Sequence, residues 1–438
     1  MASFLSCWTQ PLKIFAGFQG QGEELPEMEE DVDLKEEVLH VANARCPMGL
    51  PIVKAWGYEN ETLRLPMNGS ISISVDAGET GATVTAIACT AFRSDRLWVD
   101  GREKRASNYE HLPSILELLR DKCKSSGYPD LAEMRIRIAI AKGNVGEEVL
   151  GAEAELSTLL YCLAALLHFR EDFPGHLSII ARKFLGGSCR CLYGGFVAWK
   201  KGEKEDGTDS FAMQLAKENH WPEFKILALS LNDAKMKLTS TEAMRKCAET
   251  SQLLKLRAKH LVPEYMLELR DAIHNKSFHH FAKIVMQDTN QVQGCCMDAQ
   301  PPIFFSNHHL ELVMEVVNDM NHVAGENIAA YTFDSGLNVF ILTKEDKIAT
   351  VMKNILYYFP PSDEMGLVNI CPDRKVLSAT GIESMDALTT MPPPGTKTAR
   401  WSGLVKDVKI LNVGGGPKLL QLPTDSLLDL DTGLPKVY

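Results

Sequence analysis

No stretch of this chain approaches the roughly 18 consecutive apolar residues that a membrane-spanning helix needs. The first residues, Met1 to Trp8 and then Gln10, Pro11, Leu12 and Lys13, lack the long apolar core of a secretory signal. Positive charge is in deficit: 46 Lys and Arg against 57 Asp and Glu give a formal charge of -11. No broad basic face is therefore expected to displace counterions from a nucleic acid. The 11 cysteines include no Cys-x-x-Cys pair, which argues against a structural zinc site or a disulfide framework. Cys295-Cys296 and Cys189-x-Cys191 are too close in sequence for ordinary internal bridges. The doublets His279-His280 and His308-His309 make no two-ligand face, because neighbours on a helix point about 100° apart. These absences leave a soluble, cytoplasmic protein with reduced thiols, expected to work without a membrane, a nucleic acid or a metal site built from its own side chains.

With 438 residues, 45% of them hydrophobic, the chain can bury a sizeable core, spread over roughly two or three domains. Residues 1–37 read as an appended acidic arm, in which Glu23, Glu24, Glu27, Glu29, Glu30, Asp31, Asp33, Glu36 and Glu37 are opposed only by Lys35. Such a run favours disorder or a solvated helix. Alternating or β-branched stretches predict strands at 38–42, 70–75, 83–88, 96–100 and 134–140. Leu112, Ile115, Leu116, Leu118 and Leu119 form the stripe of a helix. Buried helices over 155–169 and 177–184 lead into a turn and strand at 190–197. The second half opens with a strand at 225–230 and continues with helices at 241–258, 263–275, 278–289 and 307–322. A helix at 344–359 and a final strand at 405–413 close the pattern. Mixed order without regular βαβ repetition predicts an α+β fold in two lobes, 38–223 and 224–438.

The segment Tyr331-Thr332-Phe333-Asp334-Ser335-Gly336-Leu337-Asn338 sets one carboxylate between the apolar runs 327–331 and 339–343. A strand-turn-strand apex is expected there. An ordinary hairpin uses the same residue types, since Asp and Gly are turn formers, so a plain turn and a catalytic acid both stay open. Val413-Gly414-Gly415-Gly416-Pro417-Lys418 opens no helix and reads as a loop rather than a phosphate cradle. Gly194-Gly195 reads as close backbone packing at a strand start.

Five pieces in order carry a resemblance. They are Val53-Lys54-Ala55-Trp56-Gly57 with Leu65-Pro66-Met67-Asn68-Gly69-Ser70-Ile71-Ser72; Arg96-Leu97-Trp98-Val99-Asp100-Gly101-Arg102-Glu103; Gly186-Gly187-Ser188-Cys189-Arg190-Cys191-Leu192-Tyr193-Gly194-Gly195-Phe196; Tyr331 to Asn338; and the closing Leu434-Pro435-Lys436. From about residue 38 to the end the chain resembles the diphosphomevalonate decarboxylases of the GHMP kinase superfamily. The resemblance implies a two-lobed GHMP-kinase-like fold and, by family habit, a homodimer. It implies use of ATP with Mg2+ to phosphorylate the tertiary hydroxyl of mevalonate diphosphate, followed by loss of phosphate and carbon dioxide to give isopentenyl diphosphate. Asp334 is implied as the carboxylate beside the hydroxyl, Lys54 as the cation for developing negative charge, and Arg190 as the planar cation for the substrate carboxylate. Trp56, Asn68, Ser240 and Thr241 are implied as further substrate-binding residues.

The chain departs from this family where the nucleotide is expected. There a loop of small residues runs into a helix N-terminus, so that backbone N–H groups and the helix dipole hold phosphates. The corresponding residues 144–157 carry Glu147, Glu148, Glu153 and Glu155, leaving Gly146, Gly151 and Ser157 as the cofactor-binding candidates. A like-charge pair at about 4 Å costs about 4 kcal/mol at an effective dielectric of about 20, or roughly a thousandfold in affinity. Turned outward, the same glutamates would favour a helix start. Gly49, Tyr58 and Gly187 stand where the family has asparagine, lysine and serine. Each missing charge-assisted hydrogen bond is expected to cost about 1.5 to 3 kcal/mol. Two functions follow: a decarboxylase homologue with impaired turnover, or a catalytically silent pseudoenzyme that binds a ligand or a protein.

Overall fold

The computed structural model describes residues 33–143, 148–231, 238–304, 308–333, 338–362, 367, 370–371, 373–382, 384–390, 392–395 and 400–436. Contacts gather Asp31–Tyr438 into one compact unit. Most of the acidic arm, together with Gly146 and Asp334, lies outside the described residues.

Alternation builds the sheets. A six-stranded sheet runs in the order Lys418–Leu419, His40–Cys46, Ala82–Cys89, Arg135–Ala141, Arg96–Val99, Arg102–Lys104. Helices Leu112–Ser125 and Glu148–Leu166 cover it, burying Leu112, Ile115, Leu116 and Leu119 against Val84, Ile138 and Leu160. A second sheet orders Ala212–Ala216, Phe196–Trp199, Ser70–Val75, Met48–Val53. A third orders Ala329–Thr332, Asn338–Lys344, Phe224–Leu231, Val405–Asn412. One apolar core joins these last two, with Leu50, Ile52 and Ile73 packed in the same cluster as Val285, Leu227 and Phe340. The fold is α+β, as the mixed order of elements predicts.

Four local readings change. The helix expected to begin at 155 begins at Glu148, so most of the stretch read as an altered phosphate loop is helix. Glu, Ala and Leu are strong helix formers, which explains the extension. The single helix expected over 241–258 is instead Ser240–Thr250, then Gln252–Leu256, then a π-helical turn at Arg257–Leu261. Ser251 makes the break, since its hydroxyl accepts from the Leu254 N–H and restarts the chain as a new N-cap. Residues expected as a turn at 190–192 belong to a 3-10 helix, Gly186–Leu192. Finally, Val405–Asn412 is not the last strand, because Lys418–Leu419 returns to pair with His40–Cys46.

The two glycine tracts meet each other. Gly195 N–H donates to the Gly414 carbonyl at 2.9 Å, and Gly414 N–H donates to the Ser74 carbonyl at 2.7 Å. A β-carbon on Gly194 would collide with the Gly416 backbone. Both tracts are thus packing elements, as their loop context predicts. Every described cysteine is free and buried.

Candidate active site

Lys54 lies just past the end of strand Met48–Val53, and its placement rests on residues far away in the chain. Its backbone N–H donates to Asp288 Oδ2 at 3.0 Å, and its carbonyl accepts from Asn68 Nδ2 at 2.9 Å and Arg257 Nη2 at 3.2 Å. Its ammonium donates to the hydroxyls of Thr289 (3.0 Å) and Thr332 (2.8 Å), with Asp288 Oδ2 3.9 Å away. Asp288 is fully buried and also pairs with Arg257. Helix Phe278–Met297 brings in Asp288 and Thr289, while Thr332 ends strand Ala329–Thr332. A buried ammonium needs this many acceptors, because an unpaired buried charge is strongly unfavourable.

Lys54 lines a pocket with Pro51, Trp56, Tyr58, Glu153, Gly187, Arg190 and Ser240 among its walls. Arg190 is on the opposite side of the sequence problem: it comes from the 3-10 turn Gly186–Leu192 and is 5% exposed. Its Nη2 donates to Glu153 Oε2 at 2.8 Å, its Nε to the Gly187 carbonyl at 3.2 Å and its Nη1 to Ser70 Oγ at 3.3 Å. Burial works against this charge, but the Glu153 carboxylate offsets it, and the guanidinium pKa is raised above its ordinary value.

Glu153 sits in the second turn of helix Glu148–Leu166, 7% exposed and facing inward. Glu155 is also buried; it accepts from the Tyr109 hydroxyl and lies 3.3 Å from Lys142 Nζ. Burial, with help from Asp100, pushes its carboxyl up to about 7. The outward swing that would have made these two glutamates harmless does not occur.

Gly187 and Tyr58 each pack closely against a neighbour. A β-carbon on Gly187 would stand 1.8 Å from Glu153 Oε1, so a side chain there would force the Glu153 carboxylate to move. Tyr58 packs against Gly186, where a β-carbon would again collide with the phenol. Burial is the main cause that pushes the Tyr58 hydroxyl up to about 12, which keeps it a neutral phenol at physiological pH.

The other expected site residues divide. Trp56 is buried in the pocket wall, within a cluster that includes Cys247 and Leu254. Ser240, at the first turn of its helix, lines the pocket with its buried hydroxyl unpartnered. Thr241 is exposed and outside the lining. Asn68 is buried, with its amide holding the Lys54 and Gly69 carbonyls and its oxygen accepting from Arg257. Gly151 lies within the helix and faces open space. Ser157 donates its hydroxyl to the carbonyls of Glu153 and Ser188, 2.6 and 2.7 Å away. The described part of 144–157 thus presents inward carboxylates and an internally bonded serine, an arrangement that does not fit a triphosphate.

Sequence reasoning missed Asp288, Thr289, Thr332 and Arg257. An aspartate in the middle of an otherwise apolar helix face was the one available signal for the first of them.

Two family models match the chain: the diphosphomevalonate decarboxylase-like N-terminal domain over residues 46–212 and the mevalonate 5-diphosphate decarboxylase C-terminal domain over residues 226–420. The human diphosphomevalonate decarboxylase is 34% identical over 410 residues, which is 92% of this chain and 98% of that protein. A crystal structure of mevalonate 5-diphosphate decarboxylase superposes with a TM-score of 0.78 at 29% identity, covering 90% of this chain and 100% of the other. A more distant solved chain, in complex with MVAPP, AMPPCP and magnesium, has a TM-score of 0.66 at 20% identity, covering 88% of this chain and 100% of the other.

Proposed function

Because the chain belongs to the diphosphomevalonate decarboxylase family, we propose that its pocket takes a diphosphate of the mevalonate diphosphate class and that ATP-dependent decarboxylation of mevalonate diphosphate to isopentenyl diphosphate is impaired. In this reading Lys54, held by Thr289 and Thr332, faces the developing negative charge, and Arg190 faces the carboxylate end. Trp56 and Ser240 line the cavity, Asn68 braces Lys54 from behind, and Thr241, next to Ser240 in the first turn of the same helix, is proposed as a further substrate contact. Asp334, two positions after Thr332 in the chain, is proposed to accept the hydroxyl proton. A relative's structure holds AMPPCP and magnesium; with inward carboxylates in 144–157 that do not fit a triphosphate, the use of ATP with magnesium is proposed to be impaired in this chain. A homodimer working in the cytoplasm is proposed on the same family ground.

The observation that carries the impairment is the 2.8 Å contact between Glu153 and Arg190 inside the pocket. An internal carboxylate already holds the cation that a substrate carboxylate would need. Phosphate release from ATP, measured with and without mevalonate diphosphate, tests this. The reading expects turnover at least about a hundredfold below that of an active relative, equivalent to about 2.7 kcal/mol of lost transition-state stabilisation. Comparable turnover would remove it.

A second reading is favoured by the same contact: with Arg190 satisfied internally, the chain serves as a silent ligand- or protein-binding module. It requires no phosphate release at all, while ligand binding persists.

A further inference from the structure

Glu153 and Gly187 meet beside Arg190 in the pocket wall. Glu153 lies on helix Glu148–Leu166, Gly187 on the 3-10 turn Gly186–Leu192, and both line the pocket beside Arg190. The Glu153 carboxylate reaches Arg190 Nη2 at 2.8 Å through the space that a side chain at 187 would fill. Two more Arg190 donors are turned to the Gly187 carbonyl and to Ser70 Oγ. A ligand carboxylate aimed at this guanidinium meets a like charge in the same site and must displace it. A ligand with an uncharged end meets no such opposition.

We propose that Glu153 is a specificity residue: its carboxylate occupies Arg190, so the pocket selects diphosphates whose far end is uncharged against diphosphates that carry a carboxylate there, and Gly187 is the residue that admits it. This rests on the reading that the pocket takes a diphosphate of the mevalonate diphosphate class. Lys54, the other cation lining the pocket, is held by hydroxyls at 3.0 and 2.8 Å and lies 3.9 Å from the Asp288 carboxylate.

The test compares the affinities of mevalonate diphosphate and isopentenyl diphosphate, which differ in the carboxylate and hydroxyl end, for wild type, Glu153→Gln and Gly187→Ser. Glu153→Gln keeps an oxygen for Arg190 while removing the charge. Gly187→Ser leaves the charge but crowds both partners, since its β-carbon would meet Glu153 Oε1 and Arg190 Nη2, so the two variants perturb the same contact by independent means. Wild type is expected to bind isopentenyl diphosphate at least as tightly as mevalonate diphosphate. Either variant is expected to shift the affinity ratio towards mevalonate diphosphate by at least about tenfold, the lower range for a charge-assisted contact. A general loss of structure would weaken both ligands alike and leave the ratio in place. An unchanged ratio in both folded variants overturns the specificity role while leaving the pocket assignment standing. Failure of all three proteins to bind either diphosphate overturns the pocket assignment and this inference with it.

Discussion

A β-carbon on Gly187 would lie 1.8 Å from Oε1 of Glu153, so the Glu153 carboxylate occupies space that a side chain at 187 would take. That carboxylate is bonded to Arg190 at 2.8 Å, with side-chain exposures of 9% and 6%. Functional predictions can be drawn from each of the buried charges around it.

The pair itself is expected to behave as a buried ion pair that is costly to break and cheap to replace. Arg190→Met alone leaves Glu153 buried without a cation and should cost about 3 to 5 kcal/mol in urea unfolding. Arg190→Met with Glu153→Leu should return most of that loss. Additive losses in the double variant would mean that the contact contributes little.

Asp288 is expected to be a positioning residue for Lys54, because it accepts from the Lys54 backbone while pairing with Arg257. Asp288→Asn should destabilise the fold by about 3 kcal/mol or more by leaving buried Arg257 uncompensated. It should also weaken mevalonate diphosphate binding beyond what the stability loss explains, which calorimetry at a temperature where the variant is folded would read.

Glu155 gives the chain a pH dependence of defined sign. Its carboxyl is raised from 4.5 to about 7, so the folded state holds more protons than the unfolded state in that window. Stability should therefore fall as pH rises from about 4.5 to about 7 and stay lower above it. Glu155→Gln should flatten this slope and gain on the order of 2 kcal/mol at pH 8, the nearby Lys142 ammonium moderating the effect. A wild-type stability curve that rises across this window, unaltered in the variant, would contradict the assignment.

Nucleotide and diphosphate should separate in thermal stabilisation. ATP with magnesium is expected to leave the melting temperature unchanged at concentrations where mevalonate diphosphate raises it. The opposite order would show that the inward glutamates do not obstruct the nucleotide.

Asp334→Asn should abolish whatever turnover remains, by about a hundredfold or more, without a matching loss of diphosphate affinity. Unchanged turnover would place the proton acceptor elsewhere.

Much of the framework was legible because period alone specifies it. Ser70–Val75 alternates and is a strand over the same residues as expected, and the Leu112, Ile115, Leu116, Leu119 stripe is the buried face of its helix. Lys54, Trp56, Arg190 and Ser240 were legible as motif residues, and the pocket gathers all of them. What sequence could not supply was direction. Whether Glu153 faces water or Arg190 depends on a partner 37 residues away and on the space left by Gly187. The acceptors of Lys54 come from 234 to 278 residues further along, beyond any local periodicity. The break at Ser251 was likewise hidden, because a serine hydroxyl caps a helix only once its neighbours have taken helical geometry.

The central claim is that the pocket keeps its recognition residues while an internal carboxylate holds the cation needed for turnover. Single-turnover phosphate release by wild type and Glu153→Gln, with ATP, magnesium and saturating mevalonate diphosphate, tests it most directly. The account predicts little or no release by wild type and a measurable gain on removing the Glu153 charge. Rapid release by wild type that falls when Glu153 is replaced would contradict it.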